Sequence, residues 1–311
     1  LNDSLHARGA RIEPGEEWGH LPVTISGPLG GADAVVMPGD VSSQYITAMM
    51  LIAPYVPGGL KLWLSSGLVS RPYLEMTRSV MGAFGHSDVE LRDRHVIVGP
   101  GEYLATEFRV EPDASSASYP LAAAAMVGGA VSVRGLGSKS VQGDVRFVEI
   151  LESMGCLVTM SAHDTVVMRR RDTPLRGVEV DMADISDLVP TLAVVATQAV
   201  TPTRITGVGF IRAKESDRLG DLAGELRTTG ALVTVEPDGL LIEPTDLLHG
   251  ARLRTHHDHR LAMAFGLLGL VVAGIESVDP AAVATSLPSA WAALRASPGR
   301  LRCRTSRSRR P

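Results

Sequence analysis

Five polar side chains stand together in the run IRAKESDRL, from Lys214 to Arg218. An apolar, strand-like stretch precedes them and a helix-like one follows. If a helix begins here, Lys214 and Arg218 are four residues apart and share a face, and Glu215 reaches Arg218 at a spacing of three. A single surface ion pair contributes only a few tenths of a kcal/mol. It does not explain a lysine in the first turn, where the helix dipole disfavours cations. A bound anion would explain it. Lys214, Arg218 and Arg260 could then surround one or two anionic groups, because guanidinium clamps carboxylate or phosphate through paired donors. Glu215 beside them, and Asp187 in the otherwise apolar DISDLVPT, have the residue types for an acid and a base.

A second polar set lies earlier. Ser42, Ser43 and Gln44 stand at a helix start in GDVSSQYITAMM, and SRPY, from Ser70 to Tyr73, opens the next helix. Hydroxyls and an amide beside free backbone N–H groups can hold a phosphate or sugar oxygens. An ordinary serine cap is the competing reading, and the parallel pair Ser115–Ser116 favours it. The run HHDH, from His256 to His259, resembles a metal cluster. Asp258, however, is in phase with three other aspartates, which makes capping its first task. No metal and no cofactor are expected.

A repeat places these motifs. Asp40, Asp113, Asp184 and Asp258 each stand two residues before a polar residue and then a small, apolar helical stretch, at intervals of 73, 71 and 74 residues. Gly9, Gly85, Gly155 and Gly230 keep step, each ending a helix before a strand. The unit reads as an Asp-capped helix, a strand, a second helix, a glycine stop and a two-stranded hairpin. About three and a half copies of such a unit imply α/β units around a common axis rather than a thin solenoid. Departures from the repeat carry information. Only the third copy opens its second helix with KESDR, and only the fourth follows its Asp with His259 and Arg260.

Composition narrows the classes. The 311 residues have room for two domains, each with a core. With 45% hydrophobic and 21% charged residues the chain is globular. Aromatics, at 4%, are too scarce for base-stacking platforms, and a net charge of −4 attracts neither nucleic acid nor an acidic membrane. Two cysteines, Cys156 and Cys303, form no disulfide framework and suit a reducing cytoplasm. The longest apolar run, 261–274, is too short to span a bilayer. The opening LNDSLHARGARI has no signal-peptide pattern and reads as the middle of a helix, so the chain is expected to be the later part of a longer protein.

Six motifs in order resemble one family, the 3-phosphoshikimate 1-carboxyvinyltransferases or EPSP synthases: SSQ at 42–44, SRPY at 70–73, DASSASY at 113–119, QGD at 142–144, KESDRL at 214–219 and DHRLAMAF at 258–265. The resemblance covers nearly all of residues 1–295. It implies an α/β fold of two domains, each an inverted barrel of three repeated units with helix N-termini facing a cleft. Residues 1–110 would be the latter part of the first domain and 111–298 the second, with 299–311 a basic, disordered tail. It also implies transfer of the enolpyruvyl group of phosphoenolpyruvate to the 5-hydroxyl of shikimate 3-phosphate, releasing phosphate without a cofactor. Ser42, Ser43, Gln44, Ser70, Tyr73 and Lys214 would hold shikimate 3-phosphate. Asp187 would be the base for the hydroxyl, and Glu215 a partner in proton transfer at the methylene carbon. Arg218, His259 and Arg260 would hold phosphoenolpyruvate. The enzyme would be a cytoplasmic monomer without nucleic-acid or membrane partners.

Three departures from the family pattern stand out. The family's N-terminal third, with a Lys-Ser start and an Asn-x-Gly-Thr loop, has no counterpart here. Thr285 stands where the family usually has a lysine, and Phe210 where some members have a polar ligand. These 311 residues alone are therefore expected to show no measurable transfer. A non-catalytic, anion-binding homologue and a UDP-N-acetylglucosamine enolpyruvyl transferase are the alternatives.

Overall fold

A computed structural model describes residues 1–30, 34–289 and 292. The chain divides into two compact units, Leu1–Val110 and Glu111–Pro311.

The first unit begins with helix α1 (Asn2–Ala7) and the hairpin β1 (Arg11–Pro14) and β2 (Val23–Ser26). Then follow β3 (Ala34–Met37), α2 (Ser43–Ile52), β4 (Leu60–Leu64), α3 (Arg71–Ala83), β5 (Val89–Leu91) and β6 (His95–Val98). The sheet order is β3-β4-β6-β5, with β3 and β4 parallel and the other pairs antiparallel. Strand LKLWL shows why one face closes. Leu60, Leu62 and Leu64 are buried, while Lys61 and Trp63 alternate outward. Ile46, Met49 and Met50 of α2 and Leu74 and Met81 of α3 complete that core.

The second unit runs α4 (Ala114–Val127), β7 (Gly129–Arg134), α5 (Phe147–Ser153), β8 (Leu157–Met160) and β9 (Asp164–Arg169). It continues with β10 (Glu179–Asp181), α6 (Val189–Ala196), β11 (Thr203–Thr206), α7 (Gly220–Arg227), β12 (Leu232–Glu236) and β13 (Gly239–Glu243). The last elements are β14 (Arg252–Leu253), α8 (His259–Leu268) and β15 (Glu276–Ser277). The sheet β10-β11-β13-β12 repeats the order and strand directions of the sheet in the first unit. Strands β7, β9 and β8 form the antiparallel part of the same plan, and β14 and β15 its parallel pair. The repeat read from the aspartates is thus a repeat of topology.

Its centre in this unit is a group of three helices. Helices α4, α6 and α8, from successive copies, pack on one another. Ala122 and Ala125 of α4 meet Leu192 and Val195 of α6 and Leu261 and Phe265 of α8 in one fully buried cluster. Small side chains on α4 allow the close approach. Ser118 of α4 and Thr191 of α6 bring their hydroxyls to 3.5 Å.

The four glycine stops are as expected: Gly9, Gly85, Gly155 and Gly230 have φ of 93°, 87°, 106° and 83°, where a Cβ would be strained. The four aspartates divide. Asp113 caps α4, accepting from the N–H groups of Ser115 and Ser116 at 3.1 and 3.2 Å, and Asp258 caps α8, accepting from Arg260 N–H at 2.8 Å. Among the described residues Asp40 and Asp184 are the cap of no helix. Ser42 caps α2 instead, through its Oγ and Gln44 N–H at 3.3 Å, and Asp40 accepts from Ser66 Oγ at 2.5 Å. Asp184 lies inside a 3₁₀ turn, Ala183–Leu188, so α6 starts too late for it to cap.

Candidate active site

Arg218 organises the site. It is 1% exposed, and each side-chain nitrogen meets a different carboxylate. Nε donates to Asp258 Oδ2 at 2.7 Å, Nη1 to Asp187 Oδ1 at 2.9 Å and Nη2 to Glu215 Oε2 at 2.5 Å. The other oxygen of Asp187 accepts from Arg260 Nη2 at 2.7 Å, so one carboxylate bridges two guanidiniums. Ser216 Oγ donates to Asp258 Oδ2 at 3.2 Å. A fixed partner on each of the three nitrogens makes the arrangement rigid, and the planar guanidinium spreads these contacts in a way that the compact ammonium does not.

Topology brings these segments together. Asp187 lies in the turn before α6, and Lys214–Arg218 precede α7. Because β10 and β11 are parallel, the segments that leave them share one edge of the sheet. Asp258, His259 and Arg260 open α8, whose first turn meets that of α6 through Arg260 and Asp187. The positive ends of two helix dipoles therefore face the cluster.

The KESDR run does not begin a helix. A 3₁₀ turn, Gly209–Ala213, ends at Lys214, whose ψ of −146° leaves the helical region, and α7 starts only at Gly220. Lys214 and Arg218 therefore share no helix face. The residues at the helix start are acidic: Asp217 Oδ1 accepts Gly220 N–H at 3.0 Å, and Asp221 lies in the first turn. That satisfies the dipole without any bound anion. The expected reach of Glu215 to Arg218 is present, at 2.5 Å.

Burial and charge set the ionisation states. Burial works to raise the carboxyl of Asp187, but Arg260, Arg218 and Lys214 outweigh it and hold it below the usual carboxylate range. Burial opposes ionisation of Asp258 in the same way, and Arg218 with the Arg260 N–H keeps it low. His259 is pushed down by burial and by the neighbouring Arg260, which favours the neutral imidazole. Tyr119 of α4 is buried in the field of Arg260, Arg218 and Asp258, and burial drives its phenol up to about 12.

The remaining expected ligands lie in the first unit. Ser42, Ser43 and Gln44 open α2, and Ser70 and Tyr73 stand at the start of α3. Strands β3 and β4 are parallel, so these two helix starts also share one sheet edge. Ser66 Oγ ties the two loops, accepting Gly39 N–H at 2.9 Å. Ser43 and Ser70 are buried, and Ser70 has a left-handed backbone, φ 56°. These positions are the topological counterparts of Asp187 and Lys214–Arg218 in the second unit.

Sequence reasoning missed the second role of Asp258. A cap uses one oxygen, and a carboxylate with no exposed surface needs a partner for the other. Ser216 and Tyr119 were missed as well, and nothing in their spacing marked them. In the second copy Gln142 Oε1 accepts Ala114 N–H at 2.8 Å, so the QGD motif supports the start of α4. Thr285 ends a 3₁₀ turn, Pro280–Thr285, and the tail 299–311 with Cys303 lies outside the described residues. Among the described residues no helix is long and apolar enough to cross a membrane.

The profile of EPSP synthase (3-phosphoshikimate 1-carboxyvinyltransferase) matches residues 1–294. The chain belongs to the EPSP synthase family. A 3-phosphoshikimate 1-carboxyvinyltransferase of Methanosphaerula palustris is 43% identical over 296 residues, which cover 95% of this chain and 69% of that protein. Its counterpart in Methanoculleus marisnigri is 43% identical over 295 residues, 94% of this chain and 69% of the relative. An EPSP synthase structure from Acinetobacter baumannii superposes with a TM-score of 0.72 at 27% identity, covering 93% of this chain and 68% of that one. This EPSP synthase family member thus has the α/β fold of its relatives and spans about two thirds of their length.

Proposed function

We propose that this family member transfers the enolpyruvyl group of phosphoenolpyruvate to the 5-hydroxyl of shikimate 3-phosphate and releases phosphate. The observation that carries the reading is the Asp187 carboxylate bridging Arg218 and Arg260 at 2.9 and 2.7 Å. It joins a base to the cations that an anionic substrate requires.

The three carboxylates on Arg218 differ in access. Asp258 is 0% exposed, Asp187 18% and Glu215 46%. Asp258 is therefore the anchor that fixes Arg218. Glu215 is the carboxylate that solvent and substrate reach, which suits proton exchange at the methylene carbon. Asp187 stays ionised at neutral pH, the state a base must be in. Its low proton affinity is no obstacle. As the hydroxyl adds to the cationic carbon it becomes an oxonium, far more acidic than any carboxylic acid. Lys214 and Arg260, both partly accessible, take the substrate anions, and Arg218, buried behind them and held by its carboxylates, adds its charge to the phosphoenolpyruvate side of the site. Ser42, Ser43, Gln44, Ser70 and Tyr73 take shikimate 3-phosphate, and His259 stands beside Arg260. The accompanying reading is a cytoplasmic monomer acting on two small molecules.

The test is phosphate release from shikimate 3-phosphate and phosphoenolpyruvate by the full-length gene product and by its Arg260→Ala variant. Release by the parent protein and its loss in the variant are expected. Release only when UDP-N-acetylglucosamine replaces shikimate 3-phosphate would favour the sister activity. No release with either acceptor would leave an anion-binding homologue.

A further inference from the structure

Asp258 and Arg260 are presented by a turn with an unfavourable backbone. His256 and His257, just before Asp258, have φ of 51° and 59°. Residues with a Cβ enter this left-handed region at a cost, and two in succession persist only where the surroundings fix them. The fixing groups come from α7. Glu225 Oε2 accepts Arg254 N–H at 3.0 Å, and its Oε1 lies 3.0 Å from His256 Nε2. Asp221, one turn earlier, lies 3.5 Å from the other ring nitrogen of His256. Within the turn, Asp258 N–H donates to Thr255 O at 2.8 Å. One carboxylate thus grips the turn at two points, and a second faces the far side of the imidazole. The helix that KESDR leads into is therefore also the helix that holds the DHR segment.

We infer that His256, held by Glu225 and Asp221, is a positioning residue for Arg260. Its ring fixes the turn, the turn fixes Asp258, and Asp258 sets both the first turn of α8 and the Nε side of Arg218. The effect reaches the substrate anion through Arg260, so the identity of that anion, phosphoenolpyruvate, rests on the function proposed above. His257 contributes differently: it faces Asp279 at 3.3 Å and is almost fully exposed.

The experiment compares His256→Asn, His256→Gly, Glu225→Gln and the double variant H256N/E225Q in the full-length protein. Asn tolerates the left-handed backbone but is too short to reach both carboxylates. Gly removes the backbone cost together with the ring. Weakened phosphoenolpyruvate binding by about tenfold is expected for each single variant, with shikimate 3-phosphate changed by less than about twofold. The double variant should be no worse than the poorer single, because both remove one shared contact. Amide exchange at Asp258–Arg260 should quicken, and H256G should keep the parent Tm while losing the same affinity. Parent-like phosphoenolpyruvate affinity and exchange in H256N and E225Q would overturn the inference. So would equal losses for both substrates tracking a fall in Tm. Arg260→Ala, measured in parallel, tests the assigned anion: if it leaves phosphoenolpyruvate binding intact, that assignment fails, and exchange at residues 258–260 alone decides whether His256 positions the turn.

Discussion

Asp187 and Arg260 are 73 residues apart in sequence, and their side chains meet at 2.7 Å. That separation is one repeat. Asp187 lies just before α6 and Arg260 in the first turn of α8, the equivalent helix of the next copy. Stacking of repeats therefore converts a sequence interval into a carboxylate–guanidinium contact, and Arg218, from the loop before α7, closes the group.

Arg218→Lys should be severe although charge is kept. A lysine cannot replace all three contacts, and where it misses Asp258 it leaves a fully buried carboxylate without its guanidinium partner. Breaking such a pair costs about 3–5 kcal/mol. Chemical denaturation should show a loss of that order, with transfer activity reduced by at least about a hundredfold. A fully active, equally stable R218K would refute the three-way role of the guanidinium.

Asp258→Asn separates the cap from the ion pair, since Asn caps helices about as well as Asp. Arg218 retains two carboxylates, so the loss at pH 7 should fall toward the lower end of about 3–5 kcal/mol. The carboxyl of Asp258 is depressed in the folded state. Its contribution is therefore present above the unfolded value of about 3.9 and disappears as pH falls through the folded value. Urea titrations should show the gap between parent and D258N at pH 7 closing below about pH 4. A gap independent of pH would mean that the ion pair contributes nothing.

His259 gives a pH dependence in another window. Its folded pKa is lowered, so as pH falls past about 6.5 the unfolded chain binds a proton that the folded chain resists. Stability from this residue is intact above that pH and declines below it. Melting temperatures at pH 7.5 and 5.5 should differ less in His259→Gln than in the parent. An unchanged difference would show that His259 titrates alike in both states.

Ser43→Ala and Ser70→Ala should weaken shikimate 3-phosphate more than phosphoenolpyruvate. Each removes one hydrogen bond to a charged group, about 1.5–3 kcal/mol. Calorimetry on the full-length protein reads both affinities. Equal losses for the two ligands would point to a cap or packing role, which for Ser70 the left-handed backbone makes a real competitor. Ser70→Gly, which relieves that backbone, should lose the same affinity if the hydroxyl is a ligand.

The sequence by itself determined the repeat, the four glycine stops and the residue types of the site. Those properties are local: a helix stop needs a left-handed residue, and Gly is the one that takes it without cost. Glu215 does reach Arg218 as expected, although the run between them is not the helix whose spacing suggested it. Helix boundaries were less legible: KESDR has the composition of a helix start, yet the backbone leaves the helical region at Lys214 and α7 begins only at Gly220, whose N–H Asp217 accepts. Tertiary structure alone decided the long-range partners. In sequence Arg218 has Glu215 in reach and otherwise awaits an anion; in the fold Asp187 and Asp258, from two distant segments, join Glu215 around it. Asp258 looks like a cap, and burial with no exposed surface makes it a counter-ion as well. Charge pairing depends on distance and burial, and both are fixed only when α4, α6 and α8, far apart in the chain, pack against one another.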